Sequence, residues 1–409
     1  MKKINIAFFV CTVALIFSSC SDNQPTGYET QKVSVNVTGE LTTLENIEVK
    51  LIDSRGTYFI QSTDKQGIAV FEVPAGIYQA TVSHVSDPQD GWRIIYNGST
   101  SNIVVQNDVP TVVELPLTMA RTSAIIIREL YVGGCQKNDG SGWFNHDKYV
   151  ILTNNSPQRV VLPGLCLAIA SPYNSYTINK NYDDTGHLSY ESQGFIPASS
   201  SFWYFQDSEV VFEPWEEKVI ALNGAIDHTI TYSKSVDLSK PNYYCTYDIE
   251  HYSNTSYYPS PSEGIPTSHY LKVARYGDQS ETAWPISTSS PAFFIFTPPT
   301  GYTPLQFGND VSQVWYDEGR AIASFACRKV PVENILDGIE VFSTAWDENY
   351  KRLTAAVDVG KATFTPRLGH ALQRKVDKEQ SEKQGHTVYI DTNNSTNDFI
   401  ETETASLRN

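Results

Sequence analysis

Basic residues are scarce in this chain of 409 residues: 30 Lys and Arg stand against 46 Asp and Glu, for a formal charge of −16. Binding to a phosphate backbone depends on clustered cations, so a nucleic-acid partner is excluded. Catalytic signatures are missing as well. The sequence holds no G-x-S-x-G elbow, no H-E-x-x-H helix, no phosphate-cradling G-x-x-x-x-G-K and no dinucleotide glycine pattern. Its 8 histidines are scattered singly, and no C-x-x-C spacing suggests zinc. No catalytic residue, cofactor or metal ligand is therefore expected. A long apolar run is lacking too: the segment from Ile4 to Phe17 falls short of the about 20 residues that a spanning helix needs.

That short segment, preceded by Lys2 and Lys3, reads as a secretion signal. It ends in Ile16-Phe17-Ser18-Ser19-Cys20, which resembles the lipobox of bacterial lipoproteins, where the cysteine is acylated and becomes the new N-terminus. Several acyl chains at about 0.8 kcal/mol per buried methylene make a stable anchor. Residues 1–19 are expected to be the signal, Cys20 the lipidation site and residues 20–31 a polar tether. Loss of the signal removes two lysines and moves the formal charge to −18. Asp22 points to export toward the outer face of an outer membrane. The expected location is the outer membrane, at the cell surface or facing the periplasm.

With 24 Tyr and 18 Phe beside only 2 Met, the remainder has β character and room for two domains. Cys135, Cys166, Cys245 and Cys327 permit two disulfides of undetermined pairing in an oxidising compartment, or four buried thiols. Between residues 32 and 120 the apolar positions alternate: Val33, Val35 and Val37, then Ile47, Val49 and Leu51. Turns at Asp64–Gly67 and Pro74–Gly76 separate further strands, which predicts a small antiparallel sandwich. From residue 121 to 402 a second all-β unit is expected. The apolar run Ala124–Val132 suits a strand buried on both faces, Tyr149–Leu152 a second strand, Val160–Ile169 two short strands about Pro163-Gly164, Phe212–His228 a Pro-containing turn followed by an apolar strand, and Ser289–Phe296 another core strand.

The residues Asp64, Gly67, Phe71, Pro74, Gly76 and Tyr78 resemble the carboxypeptidase-regulatory or prealbumin-like modules. Glu129-Leu130, Tyr149-Val150-Ile151-Leu152, Asn154 and Leu162-Pro163-Gly164 resemble the lamin-tail domain, an immunoglobulin-like sandwich, with Ile151 where that family usually has Glu. The whole order resembles an uncharacterised group of anchored lipoproteins from Bacteroidota. These resemblances imply two linked β-sandwiches, the second with long loop insertions, in a protein found beside TonB-dependent transporters and without an established activity.

Candidate ligand contacts are few. The polar loop after Gly134 carries Trp143 and His146, and the insertion from Pro241 to Gly277 is rich in Tyr, Ser and Pro, with Tyr257 and Tyr258 adjacent. A loop of this length is uncommon unless it binds something, and tyrosine offers an amphipathic face to aromatic, sugar-like or peptide ligands; the alternative is that these rings pack the insertion onto the sandwich. The expected function is non-enzymatic: capture of a ligand, or docking on a TonB-dependent transporter, with a structural or adhesive role as the alternative. The ligand itself is not legible.

Overall fold

The computed structural model describes residues 29–408, apart from 54, 86–92, 185, 277–279 and 319–325. The signal, Cys20 and the tether up to residue 28 lie outside the described residues. The chain is all-β, as its alternating apolar patterns require.

Residues 30–122 form two facing sheets. One has the order Ile68–Pro74, Thr30–Thr38, Thr111–Pro116; the other runs Tyr58–Ser62, Glu48–Asp53, Gly76–Val85, Arg93–Val105, Thr118–Thr122. Their inner faces share one core that includes Val33, Val35, Leu51, Phe71 and Val82. The turn at Asp64 works as the residue types demand. Its carboxylate accepts from the Gln66 and Ile68 N–H groups, and Gly67 sits at φ 81°, where a Cβ would stand 2.8 Å from the Val37 carbonyl. Tyr78 closes the next turn by donating its hydroxyl to the Pro74 carbonyl at 2.8 Å.

The remainder is built on one twelve-stranded sheet that curls until its two halves face each other. One half orders Ala362–Phe364, Ile335–Ser343, Ala292–Phe296, Cys166–Ile169, Ser201–Tyr204 and Tyr270–Arg275. The other orders Tyr244–Thr246, Glu217–Ala221, Tyr149–Asn154, Ile125–Tyr131, Ala371–Arg374 and Phe399–Thr402. Period-two alternation fills both faces. Leu167, Ile169, Phe293 and Ile295 enter the central core with Ile125, Ile127, Val150 and Leu152. Cys166, Ala168, Phe294 and Phe296 turn outward onto a second core, closed by the small sheet of Phe195–Ser199, Ala326–Pro331 and Val314–Tyr316. Burial on both faces explains why Ile125–Tyr131 and Ala292–Phe296, within the runs read at Ala124–Val132 and Ser289–Phe296, lack a period-two alternation, with only Arg128 and Glu129 interrupting the first.

Two expectations are corrected. Pro241–Gly277 is not one long loop: Tyr244–Thr246 and Tyr270–Arg275 are strands of the large sheet, and their parallel pairing joins its two halves, with Cys245 opposite both Ala221 and Tyr270. A three-residue strand is too short to show a period, so the sequence hides it. The four cysteines are buried thiols and not disulfides. Their cross-strand neighbours explain why: Phe144 faces Cys135, Tyr204 and Phe296 face Cys166, and Ser199 and Trp315 face Cys327.

Two buried arginines tie the irregular C-terminal segments to the sheet. Arg352 is fully buried, pairs with Glu340 through Nε at 2.9 Å and Nη2 at 2.5 Å, and donates to the carbonyls of Pro172, Ser290 and Val341. Arg374 meets Asp337 at 2.5 Å, Asp391 at 2.9 Å and Asp398 at 3.4 Å. Asp391 also accepts from Thr122, and the Thr392 carbonyl accepts from the Asn97 amide, so the same cluster reaches the N-terminal sandwich.

Candidate functional site

The loop that carries the first two candidate residues has two sides. Trp143–Phe144 pairs with Cys135–Gln136 as a short ribbon, and Gly134 at φ 69° makes the tight entry, since a Cβ there would run into the Phe144 carbonyl. Neighbouring side chains in an extended segment point to opposite faces. Trp143 therefore turns outward, while Phe144 turns in to stack on Tyr232 at 4.3 Å and to tilt against His146 at 5.4 Å.

The outer side is an exposed aromatic surface. Trp143 is 46% exposed, and the guanidinium carbon of Arg367 lies 3.8 Å from its ring centroid. Arg367 is held in the left-handed region at φ 74° while its N–H donates to the Gly133 carbonyl at 2.9 Å. Among the described residues no carboxylate lies in salt-bridge reach of this guanidinium. A second platform stands beside the first for a topological reason. Strands Ile335–Ser343 and Ala362–Phe364 are parallel, with Ser343 opposite Phe364, so Trp346 and Arg367, each three residues past that last pair, leave the same end of strands about 4.8 Å apart. Trp346 is 57% exposed and stacks on Tyr176 at 5.0 Å and 16°. The Tyr176 hydroxyl is raised above its ordinary pKa first by burial and then by Tyr173, with Arg367 acting in the opposite direction. Tyr173 is itself exposed. Each tryptophan thus has one ring face backed by a partner and remains open to solvent elsewhere.

The inner side brings together the other three candidates. The His146 ring lies 4.0 Å from that of Tyr257, both half-buried. Burial, and next the charge of Lys148, hold the His146 pKa below its ordinary value. Tyr258 is buried and its hydroxyl accepts from the Trp284 N–H at 3.1 Å. Its ring lies 6.1 Å from Trp203 and 6.0 Å from Tyr252. The tyrosines of the insertion therefore mainly pack it onto the sandwich, and Trp143, His146 and Tyr257 remain the candidates that solvent reaches. Cys20 lies outside the described residues.

The remaining histidine and aspartate pairs form turns and caps. Asp183 Oδ1 accepts from the His187 N–H, and Asp227 caps the short helix His228–Ile230. His228 is buried with Nε2 2.6 Å from the Gly224 carbonyl, and His269 Nδ1 lies 3.0 Å from the Tyr243 carbonyl. His251 pairs with Asp248 at 3.0 Å across one turn. Among the described residues no three His, Cys, Asp or Glu side chains gather as metal ligands. Burial raises the thiols of Cys135 and Cys245 to about 12, which leaves neither as a thiolate near neutral pH.

Sequence reading missed Trp346, Tyr176 and Arg367 on the outer side and Lys148 on the inner. Trp346, a lone tryptophan within Thr344–Tyr350 among acids and amides, carried a signal; Arg367 carried none, because only the turn after Phe364 brings it to Trp143.

No helix among the described residues is long and apolar enough to cross a membrane. No curated protein matches the chain. Residues 213–406 match the model of a family described as Protein of unknown function (DUF4876). A crystal structure of a DUF4876 family protein from Bacteroides thetaiotaomicron VPI-5482 aligns over 90% of this chain and 94% of its own, with TM-score 0.56 and 21% identity. A DUF1812 protein of the same organism, described as a candidate polysaccharide-binding protein, covers 34% of this chain and 57% of its own at TM-score 0.18 and 14% identity. A DUF3823 family protein from Parabacteroides merdae covers 46% and 98% at TM-score 0.16 and 12% identity. Those last two scores establish no shared fold. The chain is thus similar, over the segment that carries Arg352 and Arg374 and in its overall fold, to an uncharacterised Bacteroidota family.

Proposed function

We propose that this protein is a non-enzymatic surface lipoprotein that captures a ligand on the exposed loop end carrying Trp143, Arg367, Tyr176 and Trp346. The observation that supports it is the pair of backed, solvent-open tryptophans at the shared end of two parallel strands. Holding each ring in place lowers the ordering cost of binding a flat or amphipathic ligand. Cys20 anchors the chain in the outer membrane, at the cell surface or facing the periplasm. Native mass spectrometry of the protein purified from cells grown in their natural medium tests capture: extra mass that leaves on denaturation supports it, and an apo mass at every growth condition opposes it. Replacing Cys20 by Ser tests the anchor, and the variant is expected in the soluble fraction.

A second reading, docking on a partner such as a TonB-dependent transporter or an adhesive contact, rests on the N-terminal sandwich. Val70 and Val112 are 42% and 70% exposed and both face Ser34 in register, placing two open valines on either side of a serine on the outer side of the three-stranded sheet. Loss of a co-purifying outer-membrane protein on Val112→Glu supports docking. Unchanged recovery of that protein opposes it.

A further inference from the structure

Lys148 is a buried cation with almost nothing to hold it. It is 2% exposed, and its ammonium makes one long hydrogen bond, 3.4 Å to the Ile286 carbonyl. Its neighbour Asp147 acts on it electrostatically from the other side of the strand but makes no ion pair with it. Alternation sends Asp147 to the opposite side of the strand, where it accepts from Tyr131 at 3.0 Å and Ser235 at 2.5 Å. Lys148 instead follows Val150 and Leu152 toward the central core. The polar groups around it are underused in the same way. Asn223, whose N–H donates to the Lys148 carbonyl, turns its buried side-chain amide toward the Tyr258 hydroxyl without a well-formed hydrogen bond. The Trp284 indole N–H, two residues from Ile286, is buried and unpartnered, and so is that of Trp203 against the Tyr258 ring.

Buried donors are satisfied in nearly all folded proteins, and an uncompensated buried charge is among the costliest defects a core can carry. Here one cation with a single long hydrogen bond, one amide and two indole N–H groups without a well-formed partner lie in the region of Tyr257 and Tyr258. We propose that the groups gathered about Tyr258, chiefly Lys148, Asn223 and Trp284, hold a small monoanion, a carboxylate of formate or acetate size, inside the second unit. An anion supplies what water cannot, the missing counter-charge, and its two oxygens accept from several donors at once. The half-buried rings of His146 and Tyr257 close this region toward solvent, with the Lys148 ammonium 5.7 Å from the Tyr257 centroid. This site is independent of the outer aromatic surface, and either can fail alone.

The test is thermal unfolding of the full chain in sodium formate or acetate against an equal ionic strength of a bulky sulfonate. The wild-type protein is expected to gain about 2–4 °C in Tm from the small carboxylates. Lys148→Met, close in volume but uncharged, is expected to fold and to lose that gain. An equal gain in the variant, or none in the wild type, overturns the proposal. Should Lys148→Met fail to fold, a bromide-soaked crystal of the wild type decides: anomalous density within about 3.5 Å of the Lys148 ammonium supports the site, and an ordered water network alone in that place overturns it.

Discussion

Two buried cations of the same unit are treated in opposite ways. Arg352 is fully enclosed and every arm of its guanidinium is engaged, by Glu340 and by three backbone carbonyls. Lys148, nearly as buried, has one long bond to a carbonyl and, among the described residues, no carboxylate in ion-pair contact. The difference separates architecture from capacity. Around Arg352 and Arg374 the charged groups are consumed in fastening irregular segments. Around the loop of residues 141–148, donors stay unused on the inner side and ring faces stay open on the outer. Binding belongs where the fold has left groups uncommitted.

The comparison can be broken most severely at its saturated end. Glu340→Ala strands the Arg352 guanidinium in the core, and a loss of about 3–5 kcal/mol in urea unfolding is expected; a loss under about 1 kcal/mol would remove the claim that this pair is structural.

The Arg374 cluster gives the next effect, through pH. Burial raises the Asp337 and Asp398 carboxyls above the usual carboxylate range, with Arg374 opposing the shift. An acid whose folded pKa is raised binds its proton more tightly in the folded state. Its contribution is thus fully present below the unfolded value of about 3.9 and is lost as pH rises through the raised folded value. Asp398→Asn should flatten the decline in stability that sets in above about pH 4, measured by urea midpoints from pH 4 upward. An unchanged slope would show that this carboxyl does not titrate there.

Lys148→Met should sharpen the contrast from the other side. Removing an unpaired buried charge for a side chain of similar volume is expected to change stability by less than about 1.5 kcal/mol in the absence of small carboxylates. A loss as large as that of Glu340→Ala would mean that Lys148 is as structural as Arg352. Trp143→Ala and Trp346→Ala lie on the open surface and should cost less than about 0.5 kcal/mol each in the same assay, so any effect on binding can be read without unfolding.

Much of the frame was legible in the sequence because period two is a strong signal. Val33, Val35, Val37 and the run Ile125–Tyr131 announced their strands and their burial, and Asp64, Gly67 and Tyr78 announced their turns. The three-residue strand Tyr244–Thr246 was not legible, since it holds its place by parallel pairing and not by pattern. Of the candidate contacts, Trp143 stood out as a tryptophan in a polar loop and is exposed, whereas Tyr258 stood out equally and is buried. Exposure depends on which ring the chain packs against, here Trp203, and such partners come from segments far apart. Arg367 and Lys148 illustrate the same limit, for a cation's role is set by the groups that surround it and by those that do not.

The most direct test of capture at the loop end compares two proteins purified in parallel from cells in their natural medium: the wild type and the Trp143→Ala, Trp346→Ala double variant, both weighed by native mass spectrometry. A non-covalent mass is expected on the wild type and not on a folded double variant. The same added mass on both, or on neither, would contradict capture there.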